Sequence, residues 1–526
     1  MGNSQAALLD RTAMLVSKDD GERTKTLDRL WETLDPSDPQ AYKTNSQAVL
    51  DNKAVMDVLL NLSSTTSSAD VAGDALRVLL RLAWDSHSAK RLFQEQPSLV
   101  PMVMRKLEFG AEKATEAVLI NALCVLRNLA VNDDDNKREM VTKNPTLIPL
   151  VAAKVESNSE QVKVEALCVL RSLAFDDNNA REMATLVPLL VATLESNSKQ
   201  AQERVLEVLI NLAFSDDNAC EMVAKNPTLV PLLVAKMESN SEQVQIRALG
   251  VLRSLAFNNE NQREMFTLNP MLVPLLVARV ESNSEQVQTK ALEVLSHLAC
   301  NIDNAAEMMA TYSAVLIPSL VTKMNGNTRL QAARVVYHLS CSPANRAILH
   351  GNSSVVAALT KGREDENASF FSLLALVNLF GAEEDSEVLK TDLAMLQLIF
   401  KLIARAMNKD EWDLNKPLLA FRYLCAVEHN RQLLWGEYRS EFLTSVLAAL
   451  QQAIDDKDTP AVENTMSTLA QFSNDTEPLA WMCSNKPRLD EVIVQLASFP
   501  EALKTAQFLL LAMDPPMVVV APTPVA

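Results

Sequence analysis

The sequence predicts an all-α chain that folds as a right-handed α-solenoid of about ten three-helix repeats. Three observations favour this fold: a nine-residue string recurs at a regular interval, prolines recur in step with it, and glycine and tyrosine are scarce. A chain of 526 residues with 10 glycines and 5 tyrosines has few residues for frequent tight turns or extensive β-sheet.

The string A-L-x-V-L-x-x-L-A is the most constant part of the repeat. Six clear copies begin at residues 75, 122, 166, 205, 248 and 291, and weaker copies follow towards the C-terminus. The last leucine of each copy marks a unit, and successive markers lie 39 to 47 residues apart. Such a period is typical of helical solenoids with repeats of about 40–47 residues. The markers are Leu82, Leu129, Leu173, Leu212, Leu255, Leu298, Leu339, Leu379, Leu424 and Leu469.

Each unit predicts a short, a middle and a long helix. In one central unit these are NQREMF from Asn261, PMLVPLLVARV from Pro270, and the segment from Glu285 to about Cys300. A single unit cannot cover its own apolar stripe, so neighbouring units must stack. A recurrent proline suits the first turn of the middle helix. These prolines are Pro101, Pro149, Pro188, Pro231, Pro274 and Pro318.

A polar turn precedes the long helix in four units: ESNSEQVK, ESNSKQAQ, ESNSEQVQ and ESNSEQVQ, from residues 156, 195, 238 and 281. Ser239 with Glu242 has the spacing of a capping box, as do the equivalent pairs that begin at Ser157 and Ser282. In ESNSKQ a lysine breaks the pair, and Asn197 with Gln200 offers another register, so the capping residue stays open there. The turns are interpreted as structural punctuation.

These features together resemble the armadillo repeat. The resemblance covers residues 47–480 and is strongest over residues 110–345. It implies an adaptor or scaffold that holds an extended peptide along a groove lined by the third helices. Two departures argue against a nuclear-import adaptor: N-P replaces the usual G-A step, as at Asn226-Pro227, and the tryptophan four positions before the groove asparagine is missing. Those positions hold Cys124, Cys168, Glu207, Gly250 and Glu293.

How closely each segment matches the repeat sequence divides the chain into four regions. Residues 1–46 are expected to form an N-terminal helical cap and residues 47–345 the regular armadillo repeats. Residues 346–512 are expected to hold degenerate armadillo-like repeats with a C-terminal cap. Residues 513–526 form a Pro-rich tail that is expected to be disordered.

The groove residues follow from winding the third helix at about 100° per residue, with the first residue of the nine-residue string as position 0. Positions 2, 5 and 6 then fall opposite the apolar side, and positions 5 and 6 give the candidate partner-binding residues. A row of asparagines would bracket a peptide backbone, and arginines would favour acidic or phosphorylated partners. Alternatively, the arginines only solvate the helix face or pair with Glu207 and Glu293. The candidates are Arg127, Asn128, Arg171, Ser172, Asn211, Arg253, Ser254, His297, His338 and Asn378.

Composition narrows the class of partner. The net charge of −17 argues against nucleic acid as the main partner, because phosphate contacts need a basic face. Seven cysteines without paired spacing indicate a reducing compartment, and no apolar run reaches the roughly 18 residues of a spanning helix. A cytoplasmic location is therefore expected. Gly2 is a candidate for myristoylation, although Ala6 replaces the usual serine or threonine, and it would give only weak, peripheral membrane association.

Catalytic and metal chemistry is not predicted. The Asp-rich turns near Asp133 and Asp176 suit helix N-caps better than calcium loops. His297-x-x-Cys300 and the matching pair from His338 have zinc-like spacing, but third helices about 8–10 Å apart would not converge on one ion. No phosphate loop or catalytic motif is present in the sequence. We therefore expect no enzyme activity, no metal and no cofactor.

The sequence thus predicts a non-enzymatic scaffold that engages an extended or acidic segment of a protein partner. Two alternatives stay open at this stage. One is a regulator of a folded partner, such as a small-GTPase exchange factor or a chaperone cofactor. The other is a myristoylated, membrane-tethered adaptor.

Overall fold

The computed structural model describes residues 13–17, 19–65, 68–108, 115–131, 133–365, 368–380, 389–391, 393–407 and 414–513. Within these residues every regular element is a helix and no strand is assigned, which confirms the all-α prediction. Gly2 and residues 514–526 lie outside the described part of the chain. The chain divides into two compact units, Met1–His297 and Leu298–Ala526.

The first unit contains short 3-10 turns at Ala13–Val16 and Ala184–Leu186 in addition to its α-helices. The α-helices that begin in this unit are Asp20–Thr33, Pro39–Asp51, Lys53–Thr65, Ala69–Leu82, Ser86–Glu95, Leu99–Glu108, Glu116–Val131, Asp134–Lys143, Leu147–Val155, Glu160–Leu173, Asp177–Met183, Val187–Leu194, Lys199–Leu212, Asp216–Lys225, Leu229–Lys236, Glu242–Leu255, Asn259–Leu268, Leu272–Val280 and Glu285–Leu298.

The second unit adds a 3-10 turn at Val494–Ser498. Its α-helices are Ile302–Met324, Arg329–Cys341, Pro343–His350, Ser353–Gly362, Ser369–Phe380, Leu393–Met407, Asn415–Ala426, Glu428–Asp455, Thr459–Phe472, Thr476–Ser484, Lys486–Ile493 and Pro500–Met513.

The third helices of the first unit pack side by side in chain order. Glu116–Val131 contacts Ala69–Leu82 on one side and Glu160–Leu173 on the other, and the series continues through Lys199–Leu212 to Glu242–Leu255. Such nearest-neighbour packing is the defining property of a solenoid. At the amino end of the series the helix Asp20–Thr33 packs on Ala69–Leu82, where an N-terminal cap was expected.

The second unit repeats this arrangement. Arg329–Cys341 packs on Ser369–Phe380, and Asn415–Ala426 packs on Thr459–Phe472. The last helix, Pro500–Met513, then covers Thr459–Phe472. All ten marker leucines lie on third helices, and each is buried. The prediction of about ten three-helix repeats is therefore confirmed, whereas the bounds of the four regions stay predictions.

The recurrent prolines do not all open a helix. Pro231 and Pro274 lie in the first turn of Leu229–Lys236 and Leu272–Val280, as predicted. Pro318, by contrast, lies inside the 23-residue helix Ile302–Met324, which fuses the first two helices of its repeat. The prediction of a helix start at Pro318 is therefore wrong.

Ile302–Met324 is, among the described residues, the one helix long and apolar enough to cross a membrane by length and composition. It packs on Arg329–Cys341 and Ser353–Gly362, as the first two helices of a repeat should. Asn304 on this helix is fully buried and donates to the carbonyl of Leu298. One side of this helix, with Leu316, Leu320 and Met324, is thereby buried in the solenoid core.

The helix-capping prediction for the ESNSEQ turns is wrong by two residues. The N-cap of Glu242–Leu255 is Ser241, whose Oγ accepts from the Val244 N–H. Ser239 precedes the cap, and its Oγ accepts from the Ser241 N–H. In the ESNSKQ variant the cap is likewise the second serine, Ser198, rather than Asn197. Both serines have the chemistry of a cap, so the choice depends on where the preceding helix ends.

The same turns connect neighbouring repeats. Ser241 donates through Oγ to Glu203 of the preceding repeat at 3.4 Å, and Ser284 donates to Glu242 at 2.5 Å. The first helical glutamate of ESNSEQ, here Glu242, therefore accepts from the next repeat's cap serine, and in the ESNSKQ unit Glu203 takes that role because Lys199 occupies the first helical position. This contact explains the recurrence of the motif and supports its interpretation as structural punctuation.

Asparagines at the start of the short helices form a second ladder. Asn179 is buried and donates through Nδ2 to the carbonyls of Leu173 at 3.2 Å and Lys137 at 3.0 Å. Asn261 and Asn345 make the equivalent bond to the end of their own third helix. These bonds tie each short helix to the end of the third helix before it, and Asn179 also joins its repeat to the short helix of the preceding one. The preceding acidic residues are N-caps as predicted: Asp133 and Asp176 both accept from backbone N–H groups.

Candidate partner-binding face

The candidate site is the exposed side of the third helices in the first unit, which we call the third-helix face. Position 5 of the nine-residue string carries Arg127, Arg171 and Arg253, whose side chains are 28%, 32% and 44% exposed. These arginines therefore lie on the solvent side of their helices, as the helical wheel predicts. In the intervening repeat the position is occupied by the half-buried Ile210.

Position 6 is less open than the helical wheel predicts. Asn128 and Ser172 are buried, and Ser172 donates to the Cys168 carbonyl of its own helix at 2.9 Å. Asn211 and Ser254 are half-buried. The neighbouring third helix covers this position, which a wheel drawn for one helix does not include. The expectation that Asn128 and Ser172 are open to a ligand is therefore wrong.

The asparagines of position 6 bond to the adjacent repeat. Asn211 donates through Nδ2 to the Arg171 carbonyl at 3.1 Å, and Asn128 donates to the Leu80 carbonyl at 3.3 Å. In the second unit Asn378 donates to the Ser340 hydroxyl at 2.9 Å. These amide donors hold third helices together, so they are already engaged before any peptide arrives.

The two candidate histidines contact side chains of neighbouring repeats. The ring of His297 lies 5.5 Å from that of Phe257, and Nδ1 of His338 lies 3.4 Å from Sγ of Cys300. Among the described residues no group of three or more potential ligands forms a metal site.

The arginines of position 5 are paired with glutamates across repeats. Arg171 Nη1 lies 3.1 Å from Glu207 Oε2, and Arg253 Nε lies 3.3 Å from Glu293 Oε2. Arg127 reaches Glu165 at 2.5 Å. The open alternative that Arg171 and Arg253 pair with Glu207 and Glu293 is thus what the structure contains.

Glu207 is the centre of the largest cluster. Arg204 and Arg247 approach it to 2.7 and 2.9 Å, in addition to Arg171. Burial alone raises the pKa of the Glu207 carboxyl, but hydrogen bonds and charge from Arg204 and Arg247 outweigh it and hold the pKa below its usual value. The carboxylate therefore stays charged and fixes the three guanidinium groups in place.

In each ion pair of position 5 the arginine side chain is more exposed than the glutamate side chain. Glu165, Glu207 and Glu293 are only 12%, 15% and 17% exposed, less than half the exposure of their position-5 partners. The ion pairs of the face join six basic side chains to four carboxylates, although the whole chain carries a net charge of −17. Within these ion pairs the basic side chains therefore outnumber the carboxylates, and at position 5 they are also the more exposed partners.

Two thiols occupy positions where import receptors carry tryptophan. Cys124 and Cys168 are buried beside Glu165, and burial raises the pKa of the Cys124 thiol to about 12. The pKa of Cys168 is raised for the same reason. Both thiols are therefore protonated at neutral pH and are poor nucleophiles.

The fold and the face define a helical-repeat protein of the kind that typically acts as a protein-binding scaffold. Residues 224–412 match the armadillo-like family model. The crystal structure of an engineered protein from a structural genomics consortium aligns with a TM-score of 0.61 and 18% identity, covering 79% of this chain and 98% of that chain. A chain from a structure concerned with a phosphorylation switch in the interaction between cadherin and beta-catenin aligns with a TM-score of 0.59 and 14% identity, covering 96% and 98%.

No curated protein matches this sequence significantly. The structural likenesses establish the fold. The family match overlaps the region of strongest internal repetition, residues 110–345, and extends beyond it. The protein has the armadillo-repeat fold, and the predicted resemblance to armadillo-repeat proteins is confirmed.

Proposed function

We propose that the protein is a non-enzymatic scaffold that binds an extended acidic segment of a protein partner along the third-helix face. The observation that carries this proposal is the order of exposure within the ion pairs: guanidinium outside, carboxylate inside. An approaching carboxylate or phosphate meets Arg127, Arg171 and Arg253 before it meets the glutamates.

Arginine has five N–H donors, and the pairs described above occupy only some of them. The remaining donors can bind a second carboxylate without breaking the pair to Glu207 or Glu293. The glutamates also hold each guanidinium group in one position, which lowers the entropy cost of binding. By contrast, the asparagine amides bond within the protein, so we assign peptide recognition to the arginines.

We place the protein in the cytoplasm. All seven cysteines are free thiols. Free thiols are usual in a reducing compartment, whereas secreted proteins commonly pair them. Fractionation of cells that express a tagged chain tests this location, and exclusive recovery with secreted material would contradict it.

The binding proposal is tested with a labelled peptide that repeats Glu-Ser-Pro and with a Lys-Ser-Pro control. Fluorescence anisotropy should detect the Glu-Ser-Pro peptide and not the control, with affinity that falls as salt rises. The triple variant Arg127→Gln, Arg171→Gln and Arg253→Gln should weaken binding by about tenfold or more.

The matched control is Lys143→Gln, Arg181→Gln and Lys225→Gln, which removes the same charge from the short helices. It should change the affinity by less than about threefold. Circular dichroism establishes that the variants are folded, and Arg253→Gln alone, at the most exposed of the three sites, provides a milder test. Equal loss in both triple variants, or no binding to the unmodified protein at about 1 mM, would overturn the proposal.

A further inference from the structure

An exposed apolar side chain follows the third helix in five successive repeats of the first unit. We call these residues the edge row. Each lies at position 9, the first residue after the nine-residue string, whose own positions are numbered 0 to 8. Their exposed fractions are 54%, 50%, 63%, 86% and 65% in chain order. Single exposed apolar residues are common, but the same position exposed and apolar in five successive repeats favours a surface for binding. The edge row consists of Trp84, Val131, Phe175, Phe214 and Phe257.

The edge row borders the third-helix face. The N–H of Phe214 bonds to the Asn211 carbonyl at 3.3 Å, so the chain continues the helical turn as far as position 9. The Phe257 ring lies 5.5 Å from the ring of His297, which occupies position 6 of the next repeat. Glu293, the partner of Arg253, lies four residues before His297 on the same helix and therefore on the same side, so the edge row borders the arginine row at this repeat.

Acidic residues begin the short helices that follow the edge row. Asp177 opens the helix Asp177–Met183, and Asp216 and Asp217 open Asp216–Lys225; all three are exposed, and no basic partner is described for any of them. A ligand on this surface therefore meets arginines on one side of the edge row and carboxylates on the other. Repulsion from the aspartates directs acidic ligand side chains towards the arginines.

A cleft beside Val131, another member of the edge row, is also lined by acidic side chains. Val131 lies with Ser86 and three aspartates around a space of about 320 Å³. Lys90 contacts Asp133 and Asp135 there, so the negative charge of this cleft is partly neutralised. Beside Phe175, Arg138 pairs with Asp176 and Lys137 Nζ lies 5.4 Å from the aromatic ring, so the charge there is partly neutralised as well. Phe214, which precedes the exposed Asp216 and Asp217, is therefore the more strongly polarised part of the edge row.

We propose that the ligand of the third-helix face is an extended segment that offers one acidic and one apolar side chain to each repeat. The acidic side chain lies at the arginine row and the apolar side chain lies on the edge row. This inference rests on the proposed function and specifies the partner's sequence pattern. It commits to a segment of a protein partner, because the polarised charge selects an acidic ligand.

The spacing of the repeats sets the period of that pattern. Neighbouring packed helices lie about 8–10 Å apart, and a polyproline II segment advances about 9 Å in each three-residue turn. One turn of such a segment therefore matches one repeat. A β-strand would need about three residues for the same distance, and its alternation would turn every second apolar side chain away.

The test compares a Glu-Leu-Pro repeat peptide with the Glu-Ser-Pro peptide, using one triplet for each member of the edge row. The leucine peptide should bind the unmodified protein at least about tenfold more tightly. The variant Phe175→Ser, Phe214→Ser and Phe257→Ser should remove that advantage while it leaves binding of the serine peptide unchanged. All three side chains are well exposed, so the variant should fold.

The matched control is Leu268→Ser with Met271→Ser, at side chains that are 65% and 60% exposed between short and middle helices. The control should keep the leucine advantage. If the advantage persists in the Phe triple variant, or if both peptides bind equally to the unmodified protein, this inference is overturned and the proposed function stands. If neither peptide binds, the proposed function fails and this inference fails with it.

Two other occupants are separated by the same assay. The full chain with Val518→Ser, Val519→Ser and Val520→Ser should bind the leucine peptide with unchanged affinity. Tighter binding by this variant would assign the edge row to the chain's own C-terminal tail and overturn the inference. Sedimentation should give the same mass for the unmodified protein and the Phe triple variant. A dimer that the Phe substitutions dissociate would assign the edge row to a second copy and overturn it as well.

Discussion

Arg171 Nη1 lies 3.1 Å from Glu207 Oε2, and the two residues belong to successive third helices. Arg204 and Arg247 share the same carboxylate. One glutamate thereby fixes three guanidinium groups along the face that we assign to the partner. The stability of this cluster and the position of Arg171 therefore depend on a single side chain.

Glu207→Gln is expected to lower the free energy of unfolding by about 1–2 kcal/mol, because it leaves three arginines without their shared charge. Urea denaturation measures the change. Glu221→Gln is the control, since Glu221 pairs with Lys225 in a pair whose side chains are 56% and 68% exposed. The control should cost less than about 0.5 kcal/mol, and an equal cost in both variants would contradict the central role of Glu207.

The pH dependence of stability follows from the same carboxylate. Because its pKa is lower in the folded protein than its usual value of 4.5, its stabilisation is complete above that value. Stability should then fall as the pH drops below 4.5 towards the folded pKa. Glu207→Gln should flatten this fall relative to the unmodified protein. Denaturation curves at a series of acidic pH values test it, and parallel curves for the two proteins would refute it.

Asn179→Ala is expected to cost about 1–2 kcal/mol, because it removes two buried hydrogen bonds to backbone carbonyls. Those carbonyls belong to Leu173 and Lys137, in two different repeats. The adjacent Asn178 is exposed, and Asn178→Ala should change stability by about 0.5 kcal/mol or less. Chemical denaturation of both variants decides the matter, and similar losses would show that the Asn179 ladder is not structural.

Ser241→Ala is expected to cost about 1 kcal/mol, as the loss of an N-cap normally does. Ser239→Ala should cost less, because Ser239 bonds only to the Ser241 N–H in the preceding turn. Thermal unfolding of the two variants ranks them. The reverse order would restore the capping-box assignment of Ser239 with Glu242.

Asn211→Ala separates a structural role from a ligand role. Loss of its bond to the Arg171 carbonyl should reduce stability by about 1 kcal/mol. Ser254→Ala, at the same position of the next repeat, is the control and should be nearly neutral. The affinity for the Glu-Ser-Pro peptide should change by less than about threefold in both variants. A selective loss of affinity in Asn211→Ala would assign the amide to the peptide instead.

The sequence predicted the repeat period, the ten marker leucines and the solvent side of Arg127, Arg171 and Arg253, because each depends on periodicity within one helix. It did not predict the burial of Ser172 or the engagement of Asn211, because both depend on the neighbouring third helix. The choice of Ser241 as cap depends on the end of the preceding helix. The edge row was missed because the helical wheel stopped at position 8, before residues such as Phe214.

Photo-crosslinking locates the acidic peptide on the protein directly. A Glu-Ser-Pro peptide with a photoreactive group is irradiated in complex with the full chain, and the cross-linked residues are mapped by mass spectrometry. If the peptide binds the third-helix face, cross-links are expected on the third helices and in the turns that follow them. The helices concerned are Glu160–Leu173, Lys199–Leu212 and Glu242–Leu255. Cross-links concentrated on the middle helices, or within residues 298–513, would contradict the assignment of the third-helix face as the partner-binding surface.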